Sequence, residues 1–350
     1  MIYFLIVECI PIVLMVLFAL VVWDKKQPVS VPFSLSMAVC VVIIFAVAAL
    51  PNDVSNDKPR YVAWFHELYY WGVLDVYKDP GWMYYVAFCA MIFRNNEFLF
   101  FLLTAAVYIF SYLAFAKRFF EDKSFYFILM AMGCTGFFSY AANAIRPGFA
   151  IAFLLLGLSS PKKSWAIVLM FCSVLLHRSM GIPIVAYLIT RIVDKRWMYY
   201  SVWLVCLLLA ASNLDMGTLF ETLGFLDERV EVYAESIGQT VTGYKQGFRL
   251  DFLIYSVLPM AISSFFVTKH KIEDETFSRI FNMYVLTNSV WLLAIRVVFA
   301  DRIAYLSWFL IPFLMLYPII KYPDKYKNPN LLTLGVMFFF MGINIVLMII

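Results

Sequence analysis

The stretch Ser139–Gly157, SYAANAIRPGFAIAFLLLG, would sit in lipid without objection but for one permanent cation, Arg146, which Pro147 follows directly. A guanidinium keeps its charge in any protein environment, and one at mid-bilayer costs ~2.5–3.5 kcal/mol on insertion scales. Proline lacks an N–H and suits the first position of a helix. The stretch therefore predicts a broken helix, one segment ending near Asn143 and the next starting at Pro147. Arg146 then sits at a helix N-terminus, where unpaired N–H groups and the helix dipole favour an anion. Broken helices of this kind line substrate sites in membrane transporters. The plainer alternative is an arginine that snorkels to the outer headgroups.

The rest of the chain sets the same context. Of its 350 residues, 64% are hydrophobic and 14% charged, against about 25% charged in soluble domains. This composition predicts an all-α, polytopic transmembrane helical bundle forming a single domain over 1–350. The net charge of +4 gives no reason to expect nucleic acid. Cys9, Cys40, Cys89, Cys134, Cys172 and Cys206 all lie in apolar stretches with no CxxC pair, and His66, His177 and His270 make no HxxxH pattern. Neither a disulfide framework nor a metal site is indicated, and no cofactor is expected. The first apolar run lacks a basic leader and a small-residue cleavage site, so it is not read as a signal peptide. Lys25 and Lys26 follow it, which by the positive-inside rule places the N-terminus outside.

Apolar runs occur at 2–22, 31–50, 97–116, 124–142, 145–159, 164–177, 179–192, 198–212, 251–267, 279–296, 302–320 and 331–350. A span needs roughly 17–25 helical residues, and several of these runs are shorter. Counting all of them gives about 12 spans with both termini outside. Lys162–Lys163 and Arg191, Lys195 and Arg196 then share the cytoplasmic side, and His177 and Arg178 the other. The segment 51–96 is short, aromatic and bounded by charges, as expected of interfacial or re-entrant helices on the outer face. The polar stretch 213–250 reads as a large outer loop.

This topology sorts the basic residues by type. Inside, lysines outnumber arginines twelve to four; outside, arginines outnumber lysines eight to three. Lysine suffices to anchor a cytoplasmic loop, whereas arginine offers the planar fork that grips phosphate or carboxylate. The outer face therefore looks built for an anion. Arg146 is joined as a candidate by Arg249 in GFRLDFLIY, by Arg296 and Arg302 in IRVVFADRIAYLSWF, and by Arg60 in NDKPRYVAWF. Asp251 and Asp301 read equally well as helix-capping residues. His177, in LLHRSMGIP, is either a base or a turn residue whose imidazole caps a helix C-terminus. Asp57 is a second candidate base, beside an aromatic helix whose rings suit either sugars or the membrane surface. Glu8, in the first run, reads as snorkelling outward.

Taken in order, ND…NDKPRYVAWF, DPGWMYYV, NAIRPGFAIAFLLLGL, KKSWAIVLMFCSVLLHRSMGIPIVAYL, FRLDFLIY and DRIAYLSWF resemble the EpsG-like branch of the Wzy-type polysaccharide polymerases. The resemblance covers roughly 50–310. The family pattern usually has Arg-Gln where this chain has Arg146–Pro147, while its His-x-Ser element matches His177 and Ser179. The resemblance implies an inner-membrane enzyme, active on the periplasmic or outer face, that polymerises undecaprenyl diphosphate-linked repeat units as O-antigen, capsule or exopolysaccharide. Its partners would be those lipid-linked glycans, membrane lipid and a chain-length regulator. Arg146, Arg249 and Arg302, with Arg296 and Arg60 secondary, would meet the diphosphate charge in place of a metal, and His177 or Asp57 would serve as base. An O-antigen ligase would use the same donor with another acceptor, and a membrane O-acyltransferase would also combine His and Arg outside. A transporter or flippase would instead show inverted repeats and a two-sided polar path, and neither is visible in the sequence.

Overall fold

Backbone groups in lipid have no water to bond, so a spanning segment that does not close into a barrel must be helical. Every regular element among the described residues is helical. The computed structural model describes residues 2–55, 57–71, 79–212, 247–296 and 300–349. Most of the expected outer loop 213–250, and 72–78 of the segment 51–96, lie outside these residues. Four helical stretches among those described are long and apolar enough to cross a membrane: Glu97–Gly133, Leu250–Lys269, Ala300–Lys321 and Pro329–Leu347. Seven further apolar helices are shorter, so length and composition support a membrane protein without supporting a count of twelve crossings.

The chain divides into two compact units, 1–180 with 319–350, and 181–318. The first holds α1 (Ile2–Val22), α2 (Phe33–Ala48), α3 (Lys58–Trp71), α4 (Pro80–Phe93), α5 (Glu97–Phe120), α6 (Ser124–Gly133), α7 (Phe137–Ala142), α8 (Ile145–Ser159) and α9 (Lys163–Leu176). Helix α5 starts under an Asn96 side chain that accepts the Leu99 N–H, and it carries Lys117 and Arg118 in its last turn, where the dipole favours cations. Glu121, at φ 54°, ends it. Every residue of α6 is buried. The expected span 124–142 is broken after α6, where Gly136 takes φ 98°. Helix α8 packs on α5 and α9, with Ser173 Oγ donating to the Ala150 carbonyl at 2.7 Å.

The second unit contains α10 (Gly181–Ile189), α11 (Arg196–Ala211), α12 (Leu250–Lys269), α13 (Glu275–Leu293), α14 (Ala300–Trp308) and most of α15 (Ile311–Lys321). Buried side-chain bonds cross-link it. Trp203 Nε1 donates to Asn288 Oδ1 at 2.9 Å, and Asn288 Nδ2 donates to Ser307 Oγ at 3.2 Å. Trp308 Nε1 donates to Ser256 Oγ, and Tyr284 OH to the Ser256 carbonyl, both at 2.8 Å. Such bonds join helices where lipid removes the hydrophobic drive for association. The last helix, α16 (Pro329–Ile349), belongs to the first unit, where Asn330 accepts from Tyr126 OH at 2.8 Å and donates to the Val22 carbonyl at 2.7 Å.

Two close approaches fix the helices around Arg146. A Cβ on Gly148 would stand 3.0 Å from the carbonyl carbon of Tyr140, and one on Gly81 would stand 2.9 Å from the backbone of Leu175. Only glycine lets α8 lie against α7, and α4 against the last turn of α9, at these separations. Overpacking of this kind costs about 1–3 kcal/mol. Gly148→Ala is therefore expected to lower the unfolding midpoint in detergent. Gly335→Ala, in a helix with no neighbouring atom within 4 Å, is expected to leave it unchanged or raise it, because alanine favours helix by up to about 1 kcal/mol. Equal midpoints for the two variants would contradict the close approach.

Lys58 opens α3 and is only 3% exposed. Its Nζ donates to the Leu50 carbonyl and stands 4.4 Å from the Phe101 ring centre. Burial drives its pKa down and the Glu97 charge partly opposes this, leaving it lowered to about 8. Between that value and the ordinary lysine value near 10.4, the unfolded chain keeps a proton that the folded chain has released, so stability rises with pH. The unfolding midpoint of the native protein is expected to gain on that of Lys58→Met as pH rises from about 8 to about 10. Parallel midpoints across that range would show that Lys58 titrates normally.

Candidate functional site

Helices α8 and α9 join through Lys162 and Lys163, so their far ends, with Arg146 and His177, lie at the same end of one hairpin. Helix α8 begins at Ile145, two residues before the expected start at Pro147. Arg146 is thus its second residue and Pro147 its third. The missing N–H of Pro147 falls among the first-turn donors that have no helical partner, and the first such bond runs from Gly148 N–H to the Ala144 carbonyl at 3.1 Å. His177 is the residue after α9. Its backbone N–H bonds to the Ser173 carbonyl at 3.0 Å, but its imidazole does not cap the helix.

The imidazole turns instead to Asp79, the residue before α4. Asp79 Oδ2 lies 3.1 Å from His177 Nδ1 and 3.0 Å from Arg146 Nη1, while Oδ1 accepts the Arg178 N–H at 3.0 Å. The carboxylate side chain is 4% exposed and that of Arg146 10%. Burial alone would push the Asp79 carboxyl up. The His177 hydrogen bond, the charges of His177 and Arg146, and the Arg178 N–H more than offset it and hold the pKa down to about 2. Three helix ends thus meet on one ionised carboxylate. Sequence inspection singled out Arg146 and His177 separately and passed over Asp79. Its signal was an Asp directly before a Pro at a helix start, in DPGW, which marks a helix boundary but names no partner.

An aromatic wall backs this cluster. Trp82, fully buried, sets its ring centre 5.6 Å from Tyr61 and 6.0 Å from Phe149, and Phe149 stacks on Tyr85 at 4.2 Å. Through Tyr61 the wall reaches the start of α3. Asp57, directly before α3, is 5% exposed and its carbonyl accepts the N–H of Arg60 at 3.1 Å and of Tyr61 at 3.3 Å. The Arg60 guanidinium lies 4.5 Å over the Trp64 ring. Nearby, Glu97 accepts from Asn52 Nδ2 at 2.8 Å and meets His66 Nε2 at 3.2 Å. The first unit therefore holds four of the expected site residues, Arg146, His177, Asp57 and Arg60, and brings the first two onto a shared partner.

Arg249, Arg296 and Arg302 belong to the second unit. Arg249, rather than Asp251, occupies the N-cap position of α12. Asp251 lies in the first turn and takes the Arg249 guanidinium as a fork, Nε at 2.9 Å and Nη2 at 2.7 Å, so the intervening leucine does not separate the two side chains. That guanidinium also stands 3.5 Å from the Phe252 ring centre. Arg296 donates from Nε to the Ala210 carbonyl at 3.3 Å and lies 5.3 Å over Phe248, next to Arg249 in sequence. Asp301 and Arg302 both fall in the first turn of α14.

At a helix start in each unit an arginine is held by a carboxylate, Arg146 by Asp79 and Arg249 by Asp251, and His177 shares the first of these carboxylates. No curated protein and no solved structure matches the chain. The family model described as "EpsG family" matches residues 34–350. With most of its length under that match, the chain belongs to the EpsG family, a Wzy-type polymerase-like family of membrane proteins.

Proposed function

We propose that this protein polymerises undecaprenyl diphosphate-linked oligosaccharide repeat units at the outer face of the bacterial cytoplasmic membrane, within a bundle of about twelve crossings. The observation that carries this reading is the buried Arg146–Asp79–His177 cluster. It sets a fixed cation and an imidazole side by side at the end of the α8–α9 hairpin away from Lys162 and Lys163. Helices of that length, at 1.5 Å per residue, reach about 22 Å from the cytoplasmic surface, short of the ~30 Å hydrocarbon core. The cluster would lie recessed beneath the outer headgroups, where the diphosphate of a lipid carrier enters while its tail stays in lipid.

In the proposed reaction a hydroxyl oxygen of the acceptor unit attacks the anomeric carbon of the lipid-linked chain. His177 takes the hydroxyl proton as the new C–O bond forms. The bond from the anomeric carbon to the diphosphate breaks, and its electron pair leaves with the lipid diphosphate. Arg146 meets the charge that develops on that leaving group. Arg60, in the same unit, is assigned to the same anion. His177 is preferred to Asp57 as base because a neutral imidazole accepts a proton at neutral pH and this one is held in place by a carboxylate.

A deletion strain complemented with the native or altered gene tests the reading by gel analysis of surface polysaccharide. The native gene is expected to restore a long-chain ladder over a single-repeat product. Arg146→Lys, which keeps the charge and loses the fork, should leave the protein at native abundance and lower chain extension by roughly 10²-fold. A full ladder from Arg146→Lys removes Arg146 from the reaction. Loss of all attached polysaccharide in the deletion strain, with long chains kept on the carrier, would reassign the protein as a ligase.

A further inference from the structure

We propose that Asp79 is the positioning residue of this site, selecting the proton-accepting tautomer of His177 and tying the imidazole to Arg146; the functional half of this inference rests on His177 acting as the base. An ionised carboxylate accepts hydrogen bonds and donates none. At 3.1 Å from Asp79 Oδ2, Nδ1 of a neutral His177 must therefore carry the proton, since the other tautomer would set two lone pairs against each other. Nε2 is left with its lone pair and becomes the atom that takes a proton from substrate. The same Oδ2 accepts from Arg146 Nη1 at 3.0 Å. One oxygen thereby fixes both the group that removes the proton and the group that receives the leaving charge.

The geometry leaves Asp79 little freedom to do otherwise. Oδ1 is occupied by the Arg178 N–H, on the residue after His177, so the carboxylate holds backbone and side chain of the same turn. With only 4% of its side chain exposed, water does not compete for these bonds. Gly81, two residues into α4, rests on the backbone of Leu175, two residues before His177. That contact sets the distance between the start of α4 and the end of α9. The arrangement follows the general logic of a base oriented by a buried carboxylate.

The tautomer can be read without turnover. The chain has three histidines, so 15N-histidine labelling of the full-length protein with His66→Asn and His270→Asn leaves the His177 ring alone; if that variant does not fold, the signals lost in His177→Asn identify the same ring. At a pH where the ring is neutral, the spectrum is expected to show Nδ1–H with unprotonated Nε2, and Asp79→Ala to shift the population to Nε2–H. In the polymerisation assay Asp79→Ala and His177→Ala should each lower the rate roughly 10²–10⁴-fold, with the double variant no slower than the worse single. Asp79→Glu should recover part of the rate. An Nε2–H ring in the native protein, a native rate in Asp79→Ala, or losses that multiply in the double variant would overturn the assignment. A native protein with the Nδ1–H ring but no polymerising activity would sink the polymerase reading and leave the tautomer assignment standing.

Discussion

A buried carboxylate that satisfies three donors from two separate stretches of chain is the contact on which the meeting of α4, α8 and α9 depends. Arg146 stands at the start of α8, where the helix dipole is already positive, so cation and helix end repel each other unless an anion lies between them. Asp79 supplies that anion at 3.0 Å. Neither partner is stable there alone. Removing one member of a buried pair costs about 3–5 kcal/mol, because the other charge is left uncompensated. The pair is therefore as much a condition for α4, α8 and α9 to meet as a consequence of their meeting.

Lipid imposes the same rule on the remaining polar groups. Ser263, Ser289 and Thr333 each donate to the carbonyl four residues earlier in their own helix, which satisfies the hydroxyl without a partner helix, and Thr104 does the same while also meeting the Tyr85 hydroxyl of α4 at 2.8 Å. Groups with more donors and acceptors are spent between helices. Asn288 links α11 to α14, and Asn330 links α16 to α6 and α1. The arginines of the second unit follow the same economy: Arg249 is forked by Asp251 and Arg296 is held by the Ala210 carbonyl.

Helix positions were legible along the chain because apolar runs long enough to matter in lipid have few other solutions. The runs at 2–22, 145–159 and 164–177 agree with α1, α8 and α9 to within a residue. Two runs hid breaks: 124–142 is interrupted at Gly136 and 302–320 between Trp308 and Ile311. Hydropathy cannot see the second, since Phe309 and Leu310 are as apolar as their neighbours, and at the first Thr135 and Gly136 interrupt the apolar run too briefly to end it. Length alone supports four crossings among the described residues, and the count of about twelve rests on short apolar helices such as α10, which read the same as spanning ones over a few turns.

What the sequence determined by itself was the helical class, the membrane setting and the oddity of a fixed charge before a proline, all properties of residues and their near neighbours. The partner of that charge was beyond its reach. Asp79 and His177 are 98 residues apart, and nothing local distinguishes Asp79 from the other aspartates near helix starts, such as Asp251 or Asp301. Only the tertiary structure decided between them, because a buried ion pair is specified by which helix ends can approach. That approach rests on two glycines, Gly81 and Gly148, whose missing side chains matter only once a neighbouring backbone lies against them.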